Sequence, residues 1–402
     1  MHRIISYVVC LVLSFVLFSC SDDKGEVEKQ QTGETVIAFM PWTGAASSSN
    51  GLLAFFQNNI SDIKKAMEET KPAATRLLVC IAEDAGSARL FEITADGREK
   101  TLRKYVSPDM YSSQGICSLL TDAKTSAPAA RYSMIVAGHG LGWVSKDVYN
   151  AETRGALRVL AHRSQDAPIT RFFGHATDAS RQIDVATLSG GIEAAGMKLH
   201  FLLFDGCNMA NVETAFALRS ATDYLVACPT EIMGYGMPYR EILPSLMKSD
   251  FQSVCDRMIA FYENYSIASG GVQTPYPYAT ISVTKTSELV ALALLMKRIN
   301  ASCHELASPA GVQRLDGYTP TLFFDLGSYV AAVCDDAPLF DALKRQIELA
   351  VPYKGHTPNY YTSYGNSHVI AITAYSGITV SDLSDNRLAS DKQTTDWWKA
   401  TH

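Results

Sequence analysis

Several signatures that would name a chemistry at once are missing from the 402 residues. There is no C-x-x-C, so a zinc ribbon or thioredoxin-type site is excluded on spacing. There is no H-E-x-x-H, no G-x-S-x-G and no Walker A loop, which removes the commonest metalloprotease, esterase and NTPase readings. Positive charge is not in surplus: 35 Lys and Arg stand against 41 Asp and Glu, for a net charge of −6. Phosphate recognition needs the opposite balance, so nucleic acid is not an expected partner. No 20–50 residue period recurs, which argues against a repeat architecture. What is there is apolar: 47% of residues are hydrophobic and 19% charged, enough to build a large core and too apolar for a disordered chain.

Only one hydrophobic run is long. Ile4 to Phe18 follows the positive start Met1-His2-Arg3, with Ser6 and Ser14 its sole interruptions. The run falls short of the ~20 residues that span a bilayer and suits the apolar part of a signal peptide. It closes on Leu17-Phe18-Ser19-Cys20, which resembles a bacterial lipobox, where a small residue precedes a Cys that is lipidated and becomes the new first residue. Ser21-Asp22-Asp23-Lys24 is similar to the acidic stretch of Bacteroidetes surface lipoproteins. The expectation is a signal over 1–20, a lipid on Cys20, a flexible tether over 21–34, and a protein held at the outer membrane on its periplasmic or outer side.

Seven cysteines remain in the mature domain: Cys80, Cys117, Cys207, Cys228, Cys255, Cys303 and Cys334. An odd number leaves at least one outside any intramolecular pairing. Most sit in apolar runs, as Cys80 does in Leu77-Leu78-Val79-Cys80-Ile81, and read as small buried hydrophobes. Continuous apolar strands at 35–40, 76–82, 132–137, 199–204 and 224–227 alternate with helical spacings at 52–67, 114–123, 184–196 and 210–220. That alternation predicts an α/β fold with a mostly parallel sheet covered on both faces. A change of style after Gly270-Gly271 sets a soft boundary between a domain over 35–270 and an extension over 271–402 that completes the fold. Residues 143–183 carry no strand pattern, with a short helix expected around 151–161. A connection that long inside a compact domain is unusual and is either functional or mobile.

Two strands end in reactive residues. One runs Ser133-Met134-Ile135-Val136-Ala137 into Gly138-His139-Gly140, the other Phe201-Leu202-Leu203-Phe204 into Asp205-Gly206-Cys207. Sites in open parallel sheets form beyond the carboxyl ends of the strands, so His139 and Cys207 are expected at one edge. A Cys directly before a helix lies near the positive end of its dipole, which favours the thiolate. A neighbouring imidazole can protonate a departing amine, and the N–H groups of Gly140 and Cys207 can hold a developing oxyanion. His175, in Phe173-Gly174-His175, is a rival with a similar local look, but no strand precedes it. His162 and His200 lack a glycine context.

The apolar block before His139-Gly140 and the one before Asp205-x-Cys207 resemble the paired signatures of caspases, legumains, gingipains and clostripain. Phe204-Asp205-Gly206-Cys207-Asn208-Met209-Ala210-Asn211-Val212-Glu213 is similar to the clostripain family in particular. So is Tyr224-Leu225-Val226-Ala227-Cys228-Pro229-Thr230-Glu231 with Gly234-Tyr235-Gly236-Met237-Pro238-Tyr239 downstream. Cys228 departs from the family's usual Ser. The resemblance implies a caspase-like sheet sandwiched between helices, a His139–Cys207 dyad, cleavage after Arg or Lys, and chemistry without a metal or other cofactor. Calcium activates clostripain itself, but no Asp-rich calcium loop is present here. Asp205 is expected to floor a pocket for a basic side chain, with Glu231 as a second carboxylate or a structural acceptor; helix capping is the alternative for Asp205. Resemblance to enzymes that mature by internal cleavage makes Lys146, Arg154 and Arg158 the expected self-cleavage points.

Three readings follow. The first is a lipid-anchored, monomeric cysteine endopeptidase acting on protein or peptide substrates. The second is a surface lipoprotein that keeps the fold as a binding module without turnover. The third is an amidase acting on cell-wall peptides through the same two residues.

Overall fold

The computed structural model describes residues 32–48, 51–156, 174–302, 306 and 308–402, and Gln31–His402 form one unit. Its centre is a nine-stranded sheet. Strands β1 (Thr32–Met40), β2 (Thr75–Ala82), β5 (Ala129–Ala137), β6 (Leu199–Asp205) and β7 (Thr222–Ala227) run parallel in the order β7-β6-β5-β1-β2. Antiparallel strands complete both sides. On one side lie β3 (Ser87–Ile93) and then β4 (Glu99–Val106). On the other lie Thr280–Lys285 and then Tyr353–His356, so the part of the chain after 270 supplies two strands of the same sheet.

Side-chain alternation along each parallel strand feeds two apolar layers. Phe39, Val136 and Phe204 point into one; Ala38, Ile135 and Leu203 point into the other. Both faces are therefore covered, as the uninterrupted apolar runs require. Helices α1 (Leu53–Thr70), α6 (Tyr239–Leu246) and α7 (Phe251–Glu263) cover the second layer. Helices α2 (Ser113–Ser126), α4 (Val185–Ala194) and α5 (Val212–Ala217) cover the first, joined by C-terminal helices at Leu289–Ser302 and Ala337–Ala350. Each buried Leu, Ile or Phe in these layers contributes about 1.5–3 kcal/mol relative to exposure. Among the described residues no helix is long and apolar enough to cross a membrane.

The helix α3 spans Lys146–Ala156, earlier than the 151–161 expected. Strand β4 was not legible. Its sequence Glu-Lys-Thr-Leu-Arg-Lys-Tyr-Val is mostly exposed at the sheet edge, where charge guards against pairing with other chains and erases the apolar signature. The short strand Phe324–Asp325 pairs with Thr379–Val380, and a helix follows from Leu326 to Val333.

Candidate active site

Order in the parallel sheet brings the two strand ends together. The strands β5 and β6 are neighbours, and Ala137 is in register with Asp205. His139 and Cys207 thus each lie two residues beyond a register pair, at the same level of the same edge. The strand order reverses next door, between β1 and its partners β2 and β5, which is where open α/β sheets form their crevices.

Glycines let the two loops meet. Gly138 N–H donates to the carbonyl of Asp205 at 3.2 Å. A Cβ on Gly140 would stand 2.5 Å from the carbonyl oxygen of Cys207 and 3.1 Å from its nitrogen. Gly142 has φ +61°, and a Cβ there would stand 2.6 Å from Asn211 Nδ2 and 2.9 Å from the carbonyl oxygen of Asn208. Only residues without a side chain permit these approaches.

Both central residues are buried: His139 and Cys207 are each 1% exposed. The sulfur of Cys207 accepts a hydrogen bond from Ile232 N–H at 3.4 Å. Beyond Cys207 the chain is stitched to the residues after β7, with Asn208 N–H donating to Thr230 and Ala210 N–H to Cys228. Helix α5 starts at Val212, not directly after Cys207 as expected, and Asn211 caps it by accepting from Thr214 N–H at 2.7 Å. Asp205 is accordingly not the helix cap.

Asp205 is fully buried, with one oxygen accepting from Met237 N–H at 3.0 Å and the other from the Tyr239 hydroxyl at 2.9 Å. A substrate cation reaches this carboxylate only if the 230–239 segment moves. Glu231, 5% exposed, accepts from the Thr362 hydroxyl and from the N–H and hydroxyl of Ser363. The strand-end carboxylates therefore hold the wall that lies over Cys207: Asp205 ties its far end, and Glu231 ties its start to the C-terminal part of the chain.

Both ends of the long connection are pinned beside His139. The backbone N–H of His139 donates to Gly174 at 3.3 Å. The rival His175 organises its own turn, its Nδ1 accepting from Thr177 and Asp178 N–H groups at 3.2 and 3.1 Å. Lys146 is the first residue of α3, and its N–H donates to Asp184 Oδ1 at 2.8 Å. Arg154 falls within α3, whereas Arg158, His162 and Cys20 lie outside the described residues.

Cys80, Cys228 and Cys255 behave as core. Burial pushes the thiols of Cys80 and Cys255 up to about 12, and raises that of Cys228 well above its ordinary value. Such thiols are inert.

Support for the site also comes from residues that the sequence did not single out. Trp143 Nε1 donates to the Ser381 hydroxyl at 2.9 Å, and Ser381 N–H donates to Glu213 Oε1 at 2.7 Å. Leu141 and Trp143 pack with Leu322, Phe323, Leu388 and Ala389 in a small core of their own. No motif marks Ser381 or Phe323; their relation to the loop after His139 exists only in three dimensions.

The clostripain family profile matches residues 45–310. A secreted C11 cysteine protease from Bacteroides thetaiotaomicron, called iotapain, is 36% identical with a TM-score of 0.81, covering 92% of this chain and 99% of its own. A clostripain from Bacteroides thetaiotaomicron ATCC 29148, solved with the peptide inhibitor BTN-VLTK-AOMK, is 41% identical with a TM-score of 0.53, covering 57% of this chain and 99% of its own. An inactive zymogen C11 protease from Parabacteroides distasonis shares the fold at 23% identity and a TM-score of 0.73, covering 92% of this chain and 99% of its own. A search of curated proteins returns no match. A sheet whose neighbouring strands deliver a histidine and a cysteine to one edge, matched over most of its length by these proteases, makes the chain a member of the clostripain family of cysteine peptidases.

Proposed function

We propose that the chain is a lipid-anchored cysteine endopeptidase that cuts after Arg or Lys, with Cys207 as nucleophile and His139 as its acid–base partner. The observation that carries this reading is the register of β5 against β6, with Gly140 pressed on the backbone of Cys207. In the reaction the Cys207 thiol gives its proton to His139 as its sulfur adds to the scissile carbonyl carbon. The resulting oxyanion is held by the N–H groups of Gly140 and Cys207. His139 passes a proton to the departing amine as the C–N bond breaks, leaving a thioester. Water, relieved of a proton by His139, then frees the acid product and restores the thiol.

A basic preference is supported by the relative's inhibitor, whose VLTK peptide ends in lysine. In this reading Asp205, helped by Glu231, meets the substrate cation once the 230–239 segment has shifted. Self-processing fits the same geometry. An uncut chain that buries Cys207 under Ile232 has a closed cleft, and cleavage in the 146–158 region, at Lys146, Arg154 or Arg158, frees the loop after His139 to rearrange. Cys20 carries the lipid, so the enzyme works at a membrane surface.

The test uses purified residues 21–402 and matched fluorogenic peptides with Arg, Lys, Gln or Leu before the scissile bond. Turnover of the Arg and Lys peptides, abolished by Cys207→Ala and lowered by several orders of magnitude by His139→Ala, is expected, because such residues act as a unit. Near wild-type turnover by Cys207→Ala would sink the mechanism. Preference for Leu would sink the basic pocket alone.

A further inference from the structure

The loops that carry His139 and Cys207 share a partner far along the chain. Thr379–Val380 pairs with Phe324–Asp325 on one side and reaches the chain just after Cys207 on the other. Thr379 N–H donates to the carbonyl of Ala210 at 3.1 Å, and Thr379 forms a parallel bridge with Asn211. Backbone groups two residues apart in an extended segment point the same way, so Ser381 N–H faces the same stretch. A regular parallel ladder would send that N–H to the carbonyl of Val212, where helix α5 begins. The Glu213 carboxylate takes it instead, at 2.7 Å.

The side chain of Ser381 serves the other loop. Its hydroxyl accepts from Trp143 Nε1 at 2.9 Å, and Trp143 lies four residues beyond His139. One residue thus holds the exit loop of β5 by its hydroxyl and the chain beyond β6 by its backbone. Ser381 is fully buried, and Trp143 and Glu213 nearly so. Water does not readily replace either bond there, and removing the hydroxyl leaves a buried indole N–H to find another acceptor. Trp143 cannot turn alone. Gly142, at φ +61°, is pressed between the Asn208 carbonyl and the Phe323 ring, and Leu322 and Phe323 pack on Leu141 and Trp143. A displaced indole therefore carries with it the turn that begins at Gly140. Ser381 lies beyond residues 45–310, the stretch matched by the clostripain profile.

We propose that Ser381 is a positioning residue for the peptidase reaction. It fixes the loop after His139 against the chain after Cys207, so that the imidazole meets the sulfur and the Gly140 N–H meets the oxyanion. The proposal rests on the reading of His139 and Cys207 as the reacting pair. Misplacing reacting groups by about 1 Å costs about a hundredfold in rate. The carboxylates assigned to substrate binding are held by other partners, Asp205 by Met237 and Tyr239, Glu231 by Thr362 and Ser363. Loss of Ser381 therefore acts on kcat and spares KM.

The experiment is steady-state kinetics with an Arg peptide, together with thermal melts, on residues 21–402. The chains are wild type, Cys207→Ala, Ser381→Ala, Trp143→Phe, the Ser381→Ala/Trp143→Phe double variant and Thr286→Val. Each of the two single variants at the Ser381–Trp143 bond is expected to lower kcat by about ten- to a hundredfold, with KM within about threefold of wild type. The double variant loses no more than the worse single, since both remove the same bond. The acid limb of kcat/KM against pH moves up by about half a unit or more, because an imidazole drawn away favours the thiolate less. Thr286→Val controls for stability. It removes a buried hydroxyl that donates to the Thr222 and Asp223 carbonyls, at the opposite end of β7 from the site, and is expected to lower the melting temperature while leaving kcat unchanged. If Ser381→Ala does not fold, Trp143→Phe, which leaves the bond from Ser381 to Glu213 intact, carries the test. Turnover abolished by Cys207→Ala but unchanged in Ser381→Ala and Trp143→Phe overturns this proposal alone. So do losses that multiply in the double variant, or a loss of kcat in Thr286→Val as large as in Ser381→Ala. Turnover that survives Cys207→Ala overturns the reading of the reacting pair, and this proposal with it.

Discussion

A Cβ on Gly140 would stand 2.5 Å from the carbonyl oxygen of Cys207, closer than any real side chain tolerates. The two loops that meet at the sheet edge therefore depend on a hydrogen atom at position 140. Gly140→Ala is expected to push the loops apart, moving the N–H groups assigned to the oxyanion. A loss of about 10²–10³-fold in kcat is expected, the cost of one such donor in other enzymes. Steady-state kinetics on an Arg peptide checks this; near wild-type kcat would show that the close approach has no part in the chemistry.

Asp205 takes two donors in a site sealed from water. Tyr239→Phe removes one of them and is expected to destabilise the protein by about 1–3 kcal/mol, read from denaturant midpoints. Asp205→Asn keeps an oxygen for Met237 N–H and can turn its NH2 to the Tyr239 oxygen, replacing charge-assisted hydrogen bonds by weaker neutral ones, and lowers stability. It is also expected to reduce the preference for Arg and Lys over Leu by about ten- to thirtyfold, the share of a charge pair that survives desolvation. An unchanged preference with lowered stability would leave Asp205 as a tie for the 230–239 segment only.

Mass spectrometry of wild-type and Cys207→Ala protein tests self-processing. Two fragments are expected from the first and one intact chain from the second, with the new ends after Lys146, Arg154 or Arg158. Lys146 opens a helix and its N–H is bound to Asp184, so cleavage there requires that turn to unwind. A fully active, uncut wild-type chain would rule the idea out.

Burial raises Glu213 to about 8 and Asp382 to about 7, with Glu213 and Asp382 opposing each other's ionisation in one small region. A carboxyl raised in the folded state stabilises the fold below its unfolded value, and the contribution is lost as pH climbs through the folded value. The melting temperature is expected to fall between about pH 5 and pH 8. Glu213→Gln should flatten that slope, and thermal melts across the range check it. An identical slope in the variant would place the titration elsewhere.

Cys20→Ala is expected to move the protein from the membrane fraction to the soluble one, or to stall its processing, since stable anchoring needs two or more chains on that residue. Unchanged fractionation would mean that Cys20 carries no lipid.

The reach of the sequence follows from how local each signal is. Short apolar runs such as Phe201 to Phe204 fit a strand buried on both faces, because four consecutive hydrophobic side chains that stop at Asp-Gly are too few for a buried helix. His139 and Cys207 were legible because each closes such a run, and parallel strands put their carboxyl ends on one edge. Helix α5 was misplaced because the chain after Cys207 is apolar in a helix-like pattern, yet its N–H groups go to Thr230 and Cys228 instead of to its own carbonyls. The partners of Asp205 and Glu231 were out of reach for a similar reason. Met237, Tyr239, Thr362 and Ser363 meet these carboxylates by hydrogen bonds across 32 to 132 residues of chain, and no spacing rule encodes such pairings. The same holds for Ser381 beneath Trp143, 238 residues away. Composition and periodicity are properties of neighbours in the chain and determined the five parallel strands, their two covered faces and the two residues at their ends. Which carboxylates are taken up and what covers the thiol depend on long-range contacts, and only tertiary packing decided them.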